Sequence, residues 1–207
     1  EIGNKLITSD EIFELKSLPK SIAVIGSGVI AIELAQAMQR LGVETTVFAR
    51  SRKVGVLSSP KLQQIAQTEL SKELNIKFEI LPNSVKNTEN GVELNYIENN
   101  ETKQLFVEYL LAATGRQSNL KTLNLENIDP SFSDLKKLPV NNETKQLANL
   151  PIFIIGDAFT QTPLQHEAAH EGKLVISSCL NFPQVINLTN LTPLGIVFSN
   201  PEMAMVG

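Results

Sequence analysis

The chain has 207 residues and a formal net charge of −4, with 42% hydrophobic and 19% charged residues, which is typical of a globular protein. This charge does not favour binding to nucleic acid or to an anionic membrane, and no apolar run approaches the ~18 residues of a membrane span. We therefore expect a cytoplasmic protein with neither a nucleic-acid nor a membrane partner.

Cys179 is the only cysteine, which excludes an internal disulfide framework and a cysteine-based zinc cluster. It lies in an apolar run that we expect to be helical, and we interpret it as a half-buried packing residue rather than a reactive thiol. The chain begins without methionine and without a visible signal peptide, so we expect an interior piece of a longer protein.

The first predicted elements form one βαβ unit. The apolar run at residues 21–25 predicts a buried parallel strand. Apolar residues spaced by three and four predict a helix over residues 29–41, with Gly42 as its C-terminal cap. The β-branched residues at 43–48 predict a second strand, and the crossover between two such strands is right-handed in nearly all proteins.

A second helix is predicted by Ser59 as its N-cap and Pro60 at its first position, and it runs to about residue 74. Four of its apolar residues are expected on one buried face: Leu62, Ile65, Ala66 and Leu70. The following residues 76–81 predict a strand.

An antiparallel meander is predicted next, with strands at residues 85–88, 92–96 and 104–106. Asn90-Gly91 separates the first two strands, and Asn-Gly between alternating runs is a strong hairpin signal. Residues 109–113 then predict another buried strand.

The last part of the chain alternates irregular and regular segments. Residues 117–150 are polar and irregular, and the apolar residues 152–155 predict a short buried strand. Pro163 is expected to open a helix that continues to about residue 180. Residues 181–190 are interpreted as a linker, and residues 194–198 predict the beginning of a strand.

The turn after the first strand is Gly26-Ser27-Gly28-Val29-Ile30-Ala31, the GxGxxA form of the dinucleotide-binding fingerprint. The first glycine permits the tight turn, the second lets the backbone approach a pyrophosphate, and the small third residue lets helix and strand pack closely. N–H groups at the positive end of the helix dipole then face the phosphates. Because the motif follows a predicted strand and opens a predicted helix, it predicts dinucleotide binding. An ordinary glycine turn is the alternative.

The end of the second strand bears on the choice between NAD and NADP. An acidic residue there would bind the ribose 2′-hydroxyl, but Phe48 is followed by a run that holds three cations, Arg50, Arg52 and Lys53. Arginine can bind a 2′-phosphate through two parallel hydrogen bonds. NADP is therefore predicted, with NAD as the other possibility, and a solvated basic turn is the alternative interpretation.

Four further motifs, in order, resemble the pyridine nucleotide-disulfide oxidoreductases, and within them the dihydrolipoyl dehydrogenase and glutathione reductase group. Residues 18–21 are similar to the entry into the family's nicotinamide domain, and residues 111–116 to its "ATGR" return strand. Residues 154–157 are similar to the second FAD motif. Residues 198–202 with 206–207 resemble the opening of the interface domain. The resemblance covers essentially the whole chain.

The resemblance implies an α/β fold. A Rossmann-like nicotinamide-binding domain, with a parallel sheet and a three-stranded antiparallel meander, is flanked by parts of an FAD-binding domain and the start of an α+β interface domain. The implied segments are the end of the first FAD-domain segment (1–18), the nicotinamide domain (19–140), the returning FAD-domain segment (141–189) and the start of the dimerisation domain (190–207). The whole protein would be a homodimer.

The site residues implied by the resemblance serve two cofactors, FAD and NADP (or NAD). Glu33 matches a glutamate near the nicotinamide carboxamide, Gly115 would line the same cleft, and Asp157 would accept hydrogen bonds from the ribityl chain of FAD. Residues at the start of the next helix would lie against the flavin. The full predicted set is Gly26, Ser27, Gly28, Val29, Ile30, Glu33, Arg50, Arg52, Gly115, Gly156, Asp157, Leu164, Gln165 and His166.

The implied activity is that of a flavoprotein that passes hydride between NAD(P)H and FAD, and electrons on to a small disulfide or dithiol substrate. Val29 stands where the family often has a tyrosine that gates the flavin. The chain has no N-terminal ADP-binding motif, no Cys-x4-Cys pair and no C-terminal His-Pro. We therefore expect no catalytic residue in it and no disulfide reduction by it alone.

Three different functions remain open. His166-Glu167-Ala168-Ala169-His170 matches the HExxH helix of zinc metalloproteases, in which both histidines bind one metal and the glutamate acts as base. These are the only histidines, so a third ligand would have to be a carboxylate, and we predict no metal site. The second possibility is a nucleotide-binding module without enzymatic activity, and the third is a single-domain dehydrogenase.

Overall fold

The structure is a computed structural model that describes residues 3–159, 164–189 and 191–207. It divides into two compact units, Glu1–Gly115 with Leu194–Gly207, and Arg116–Pro193. The helices are α1 (Val29–Arg40), α2 (Pro60–Leu70) and α3 (Gln165–Leu180). The strands are β1 (Leu6–Ile7), β2 (Ser21–Ile25), β3 (Glu44–Ala49), β4 (Asn75–Phe78), β5 (Ser84–Thr88), β6 (Gly91–Glu98), β7 (Glu101–Val107), β8 (Tyr109–Ala112), β9 (Leu194–Val197) and β10 (Met203–Val206).

The first unit is built on a five-stranded parallel sheet in the order β1-β8-β2-β3-β4. Strands β5, β6 and β7 form a three-stranded antiparallel sheet, and β9 pairs antiparallel with β10. Because β2 lies between β3 and β8, the chain reverses its strand order at the carboxyl end of β2, which is where α/β sheets bind ligands. The predicted α/β fold class, a Rossmann-like sheet with a meander, is confirmed.

The central strand β2 is apolar on both faces because both faces are covered. Ile22 and Val24 pack into one buried cluster with residues of α1, whereas Ala23 packs with Phe48 and residues of the meander into another. Side chains alternate between the two faces of a strand, so α1 covers one face of the sheet and the meander covers the other. An edge-to-face contact between Phe48 and Tyr96, with ring centroids 5.1 Å apart, ties the meander to the sheet.

Helix α2 begins where predicted, but it ends at Leu70, and of the four residues predicted for its buried face only Ala66 and Leu70 are buried. Leu62 and Ile65, predicted for the core, are about half exposed, at 47% and 48%, whereas Gln63 is buried. The Gln63 amide accepts a hydrogen bond from the N–H of Val54 at 2.9 Å and donates to the carbonyls of Val54 and Leu57. Because the Gln63 amide has all these partners, burying it costs little free energy. Gln63 therefore lies on the inner face of α2, where Leu62 was predicted.

The second unit is built mainly from turns. Its core is a cluster of six buried apolar residues: Leu120, Leu125, Phe132, Leu138, Leu147 and Ile154. The predicted strand at residues 152–155 is wrong, because Phe153 pairs with Gln146 only through an isolated bridge. A four-residue run forms a ladder only beside another strand, and the described part of this unit provides none. Residues 117–150 are predicted to be irregular, and within them residues 119–137 form four short 3-10 helices.

Helix α3 closes the second unit. Pro163, predicted to open this helix, and Asn190, the last residue of the predicted linker, lie outside the described residues. Cys179 is exposed, so the prediction of a half-buried thiol was wrong. Its neighbour Ser178 is fully buried, and successive residues of a helix point about 100° apart. Among the described helices, none combines the length and the apolarity needed to cross a bilayer.

Candidate functional site

The turn between β2 and α1 fits only glycine at its first position. Gly26 has a φ of +129°, and a Cβ on it would lie 2.3 Å from the carbonyl oxygen of Ala113. The ends of β2 and β8 are hydrogen-bonded next to this glycine, since the N–H of Ala113 donates to the carbonyl of Ile25 at 2.9 Å. The missing side chain therefore lets β2 turn into α1 directly against the end of β8.

The second glycine leaves the start of α1 open. Gly28 is the exposed N-cap residue of α1, and apart from Gly28 and its two chain neighbours no described residue has an atom within 4 Å of a Cβ placed on it. The first turn carries no acidic side chain, and no described side chain caps it. Its N–H groups, at the positive end of the helix dipole, are thus available to an anion. Ala31 is fully buried beneath the turn.

Ser27 ties the glycine turn to the basic turn that follows β3. Its hydroxyl donates to the carbonyl of Lys53 at 2.6 Å, and its own carbonyl accepts from the N–H of Gly55 at 2.9 Å. The hydroxyl therefore serves the fold, and only the backbone of Ser27 is placed to meet a phosphate.

Glu33 lies on α1, one turn beyond the glycine turn, and is partly buried. Its Oε1 accepts a hydrogen bond from the N–H of Phe198 at 2.8 Å. One turn later, the buried amide of Gln36 accepts from the N–H of Asn200 at 2.7 Å and donates to its carbonyl at 2.8 Å. These two side chains hold the connection between β9 and β10 on α1, and they fix the orientation of the Glu33 carboxylate.

Arg50 and Arg52 are exposed just after the carboxyl end of β3. The Arg52 guanidinium lies over the ring of Phe78, 5.5 Å from its centroid, and its Nη1 is 3.5 Å from Oε2 of Glu79. Strand β4 ends at Phe78 rather than at residue 81, because Glu79 takes a left-handed φ of +60°. Sequence reasoning missed Glu79, although it is the first residue after the strand that neighbours β3.

Gly115 follows β8 and is exposed, and apart from Gly115 and its two chain neighbours no described residue has an atom within 4 Å of a Cβ placed on it. The first unit thus holds nine of the predicted residues, at the carboxyl ends of three neighbouring strands or on α1. They are Gly26, Ser27, Gly28, Val29, Ile30, Glu33, Arg50, Arg52 and Gly115.

The second unit holds the other five predicted residues: Gly156, Asp157, Leu164, Gln165 and His166. Gly156 has a φ of +57°, and a Cβ on it would lie 2.7 Å from that of Ala168. Its N–H donates to Oε2 of Glu171 at 2.7 Å, and Lys145 Nζ lies 2.9 Å from Oε1. The side chains of this ion pair are 13% and 12% exposed, so it is largely shielded from water. Sequence reasoning missed it, because no spacing links two residues so far apart.

Asp157 and the start of α3 remain accessible. One carboxylate oxygen of Asp157 is 3.0 Å from a guanidinium nitrogen of Arg116, and both side chains are about half exposed. Leu164 is the N-cap residue of α3, and no described side chain caps this helix. A carboxylate and open helical N–H groups are thus both present in this unit.

The HExxH motif is not assembled into a metal site among the described residues. Nε2 of His170 is 2.9 Å from the carbonyl oxygen of Thr189, and His166 is about half exposed. Glu171, one of the possible carboxylate ligands, is paired with Lys145. The described part of the chain has no group of three or more His, Cys, Asp and Glu side chains that could hold a metal ion.

Comparison with known proteins bears on the whole chain. Residues 1–172 match the family model described as pyridine nucleotide-disulphide oxidoreductase. The chain is 29% identical to dihydrolipoyl dehydrogenase of Geobacillus stearothermophilus, covering 100% of this chain and 44% of that protein. It is 32% identical to mercuric reductase of Staphylococcus aureus, covering 97% and 37%. The solved structure of LpdA from Mycobacterium tuberculosis matches with a TM-score of 0.78 and 22% identity, covering 99% and 44%. The chain therefore spans less than half the length of these relatives.

Proposed function

The chain belongs to the pyridine nucleotide-disulphide oxidoreductase family, and from this premise we propose that it forms the nicotinamide-nucleotide site of a flavoprotein disulfide oxidoreductase, most like dihydrolipoyl dehydrogenase. In the whole protein, hydride passes between NAD(P)H and FAD, and electrons pass on to a small disulfide or dithiol. The observation that carries the proposal is the turn at residues 26–28. There Gly26 fits where no side chain could, and Gly28 leaves the start of α1 open.

The first unit supplies the groups that hold the nucleotide. Backbone N–H groups of Gly28, Val29 and Ile30 bind the pyrophosphate at the positive end of α1. Oε1 of Glu33 is already held by Phe198, so Oε2 is the atom that we assign to the nicotinamide carboxamide. Because the carboxylate is fixed before the nucleotide arrives, little orientational freedom is lost on binding.

The residues of the second unit fit FAD. The half-exposed carboxylate of Asp157 would accept hydrogen bonds from the ribityl hydroxyls, and the N–H groups at residues 164–166 would lie against the ring, where the helix dipole stabilises negative charge. FAD, when bound, supplies a two-electron carrier between the nicotinamide and the disulfide. Cys179 is the only cysteine, so we assign the redox-active pair to the rest of a longer, homodimeric protein.

NADPH is the coenzyme that we propose. Arg50 and Arg52 stand at the carboxyl end of β3, the place where a Rossmann domain meets the adenosine ribose, and both are exposed. A guanidinium binds a phosphate through charge-assisted hydrogen bonds. Gly115, exposed at the end of β8, leaves room for the nicotinamide half of the molecule.

Calorimetric titration of the chain with NADPH and with NADH tests the proposal. We expect tighter binding of NADPH, and a loss of at least about 10-fold in Arg50→Glu, since a hydrogen bond to a charged group contributes roughly 1.5–3 kcal/mol. NADH affinity should change little in this variant. Lys86→Glu is the matched control, because it reverses an exposed cation on the meander strand β5.

Each other outcome has a distinct meaning. Preference for NADH, unaffected by Arg50→Glu, would keep the nucleotide site and refute the assignment of the arginines. Binding of neither nucleotide by a chain with a folded circular-dichroism spectrum would refute the proposed function.

A further inference from the structure

A carboxylate, that of Glu79, lies beside the basic turn that follows β3. The sequence of that turn contains only cationic charged residues, so the carboxylate is not visible in it. Glu79 is the first residue after β4, and its two neighbours are both bound to the end of β3. Phe78 is the register partner of Ala49, and the N–H of Ile80 donates to the carbonyl of Ala49 at 3.2 Å. The backbone on both sides of Glu79 is therefore anchored beside the basic turn.

Glu79 has an unusual backbone conformation, and its side chain lies next to Arg52. Its φ of +60° is uncommon for a residue with a side chain, and its Oε2 lies 3.5 Å from Nη1 of Arg52. Arg52 is held elsewhere as well, since its guanidinium lies over the Phe78 ring and its carbonyl accepts a hydrogen bond from the side chain of Gln67. The acid and the base are thus neighbours at the carboxyl ends of β3 and β4.

We propose that Glu79 sets the coenzyme selectivity by opposing Arg52. It offsets the charge of Arg52 at the place of the 2′-phosphate, so NADPH is bound more weakly than the two arginines alone would bind it, and NADH is still accepted. The inference rests on the proposed function, because it requires the adenosine ribose of a nicotinamide nucleotide at the end of β3. NADPH brings a phosphate with a charge near −2 to this place, whereas NADH brings a neutral hydroxyl.

The size of the change in NADPH affinity depends on how exposed Arg52 and Glu79 are to solvent. The side chains of Arg52 and Glu79 are 63% and 62% exposed, so charges interact there through a medium close to water. A charge of about −2 placed roughly 6 Å from a carboxylate in such a medium changes the affinity by about 5- to 10-fold at low ionic strength. Because the Debye length falls to about 3 Å at 1 M salt, most of the change should disappear at high salt.

The test is a calorimetric titration of the full chain with NADPH and with NADH, at low and at high salt. We expect Glu79→Gln to bind NADPH about 5- to 10-fold tighter at low salt, with NADH affinity within about 2-fold of the wild type. Glu69→Gln is the matched control, because Glu69 is another exposed carboxylate paired with a base, 2.6 Å from Lys72 Nζ. Its NADPH affinity should not change. Glu79→Asn serves as a second neutral variant, since asparagine tolerates the left-handed backbone.

The outcomes separate this inference from the proposed function. Unchanged or weaker NADPH binding by both neutral variants, in a chain that binds nicotinamide nucleotide as wild type, overturns the inference alone. Weaker NADH binding by both would show that Glu79 binds the ribose hydroxyl, and it overturns the inference as well. If the wild-type chain binds neither coenzyme, the proposed function fails and the inference fails with it.

Discussion

Replacing each glycine of the first turn by alanine separates the stability of the fold from the binding of the nucleotide. In Gly26→Ala, the new Cβ lies 2.3 Å from the carbonyl oxygen of Ala113, at a φ of +129°. Both the backbone strain and the forced shift at the end of β8 oppose folding, and each costs about 1–3 kcal/mol. We expect a loss of about 3 kcal/mol in the free energy of unfolding of the first unit.

Gly28→Ala should behave in the opposite way. Its φ of −73° suits any residue, and no described residue beyond its two chain neighbours has an atom within 4 Å of the new Cβ. The cost to stability is that of a poorer N-cap, roughly 0.5–1 kcal/mol. The methyl group would, however, stand in the space that we assign to the pyrophosphate, so NADPH affinity should fall by about 10-fold or more, the equivalent of one lost charge-assisted hydrogen bond.

Urea unfolding followed by circular dichroism, together with NADPH titration, measures both effects. With a slope of about 2 kcal/mol per molar urea, Gly26→Ala should unfold at a urea concentration about 1.5 M below that of the wild type, and Gly28→Ala within about 0.5 M of it. A Gly26→Ala variant as stable as the wild type would refute the reasoning. So would a Gly28→Ala variant that loses as much stability as Gly26→Ala.

Three further substitutions test the packing. Glu171→Gln leaves the largely buried Lys145 without its countercharge and should cost about 2–4 kcal/mol in urea unfolding; an unchanged midpoint would contradict the role of this ion pair. Gln63→Ala leaves backbone groups of the loop before α2 without partners and should cost about 1–3 kcal/mol, with faster amide exchange in that loop; unchanged exchange would count against it. The hydrogen bond from Lys103 holds the pKa of Glu98 below its ordinary value. The ionised Glu98 side chain therefore stabilises the folded state above about pH 4.3, and this contribution is lost as the pH falls through the folded-state pKa. Glu98→Gln should therefore lower the urea midpoint at neutral pH and leave it unchanged in strong acid, whereas an equal effect at both would refute the assignment.

The βαβ unit could be predicted from the sequence because every local signal agreed with the tertiary structure. The apolar run at residues 21–25, the glycine turn and the helical spacing after it each specify an element, and the structure contains β2, the turn and α1 at these places. Gly26 illustrates this agreement, since the φ that the turn requires and the approach of Ala113 both exclude a side chain. Five of the predicted site residues lie in this turn and the first two positions of α1, which is why the candidate site could be proposed without a structure.

The rest depended on contacts that no local pattern contains. Periodicity places Leu62 on the buried face of α2, but the hydrogen bonds of Gln63 to Val54 and Leu57, in the loop before α2, decide which face is buried. The strand expected at residues 152–155 needs a neighbouring strand that the described part of this unit does not provide. The side chain of Glu79 lies next to that of Arg52 because β4 pairs with β3. In each case a contact outside the element itself determines the outcome.

Amide chemical shifts of the 15N-labelled chain, recorded while NADPH is added, test most directly whether the glycine turn binds a nicotinamide nucleotide. We expect the largest changes at Gly28, Val29 and Ile30, smaller ones at Arg50 and Arg52, and none in strand β5 of the meander. Changes confined to other parts of the chain, or no change at saturating NADPH while the spectrum remains that of a folded protein, would contradict the proposed site.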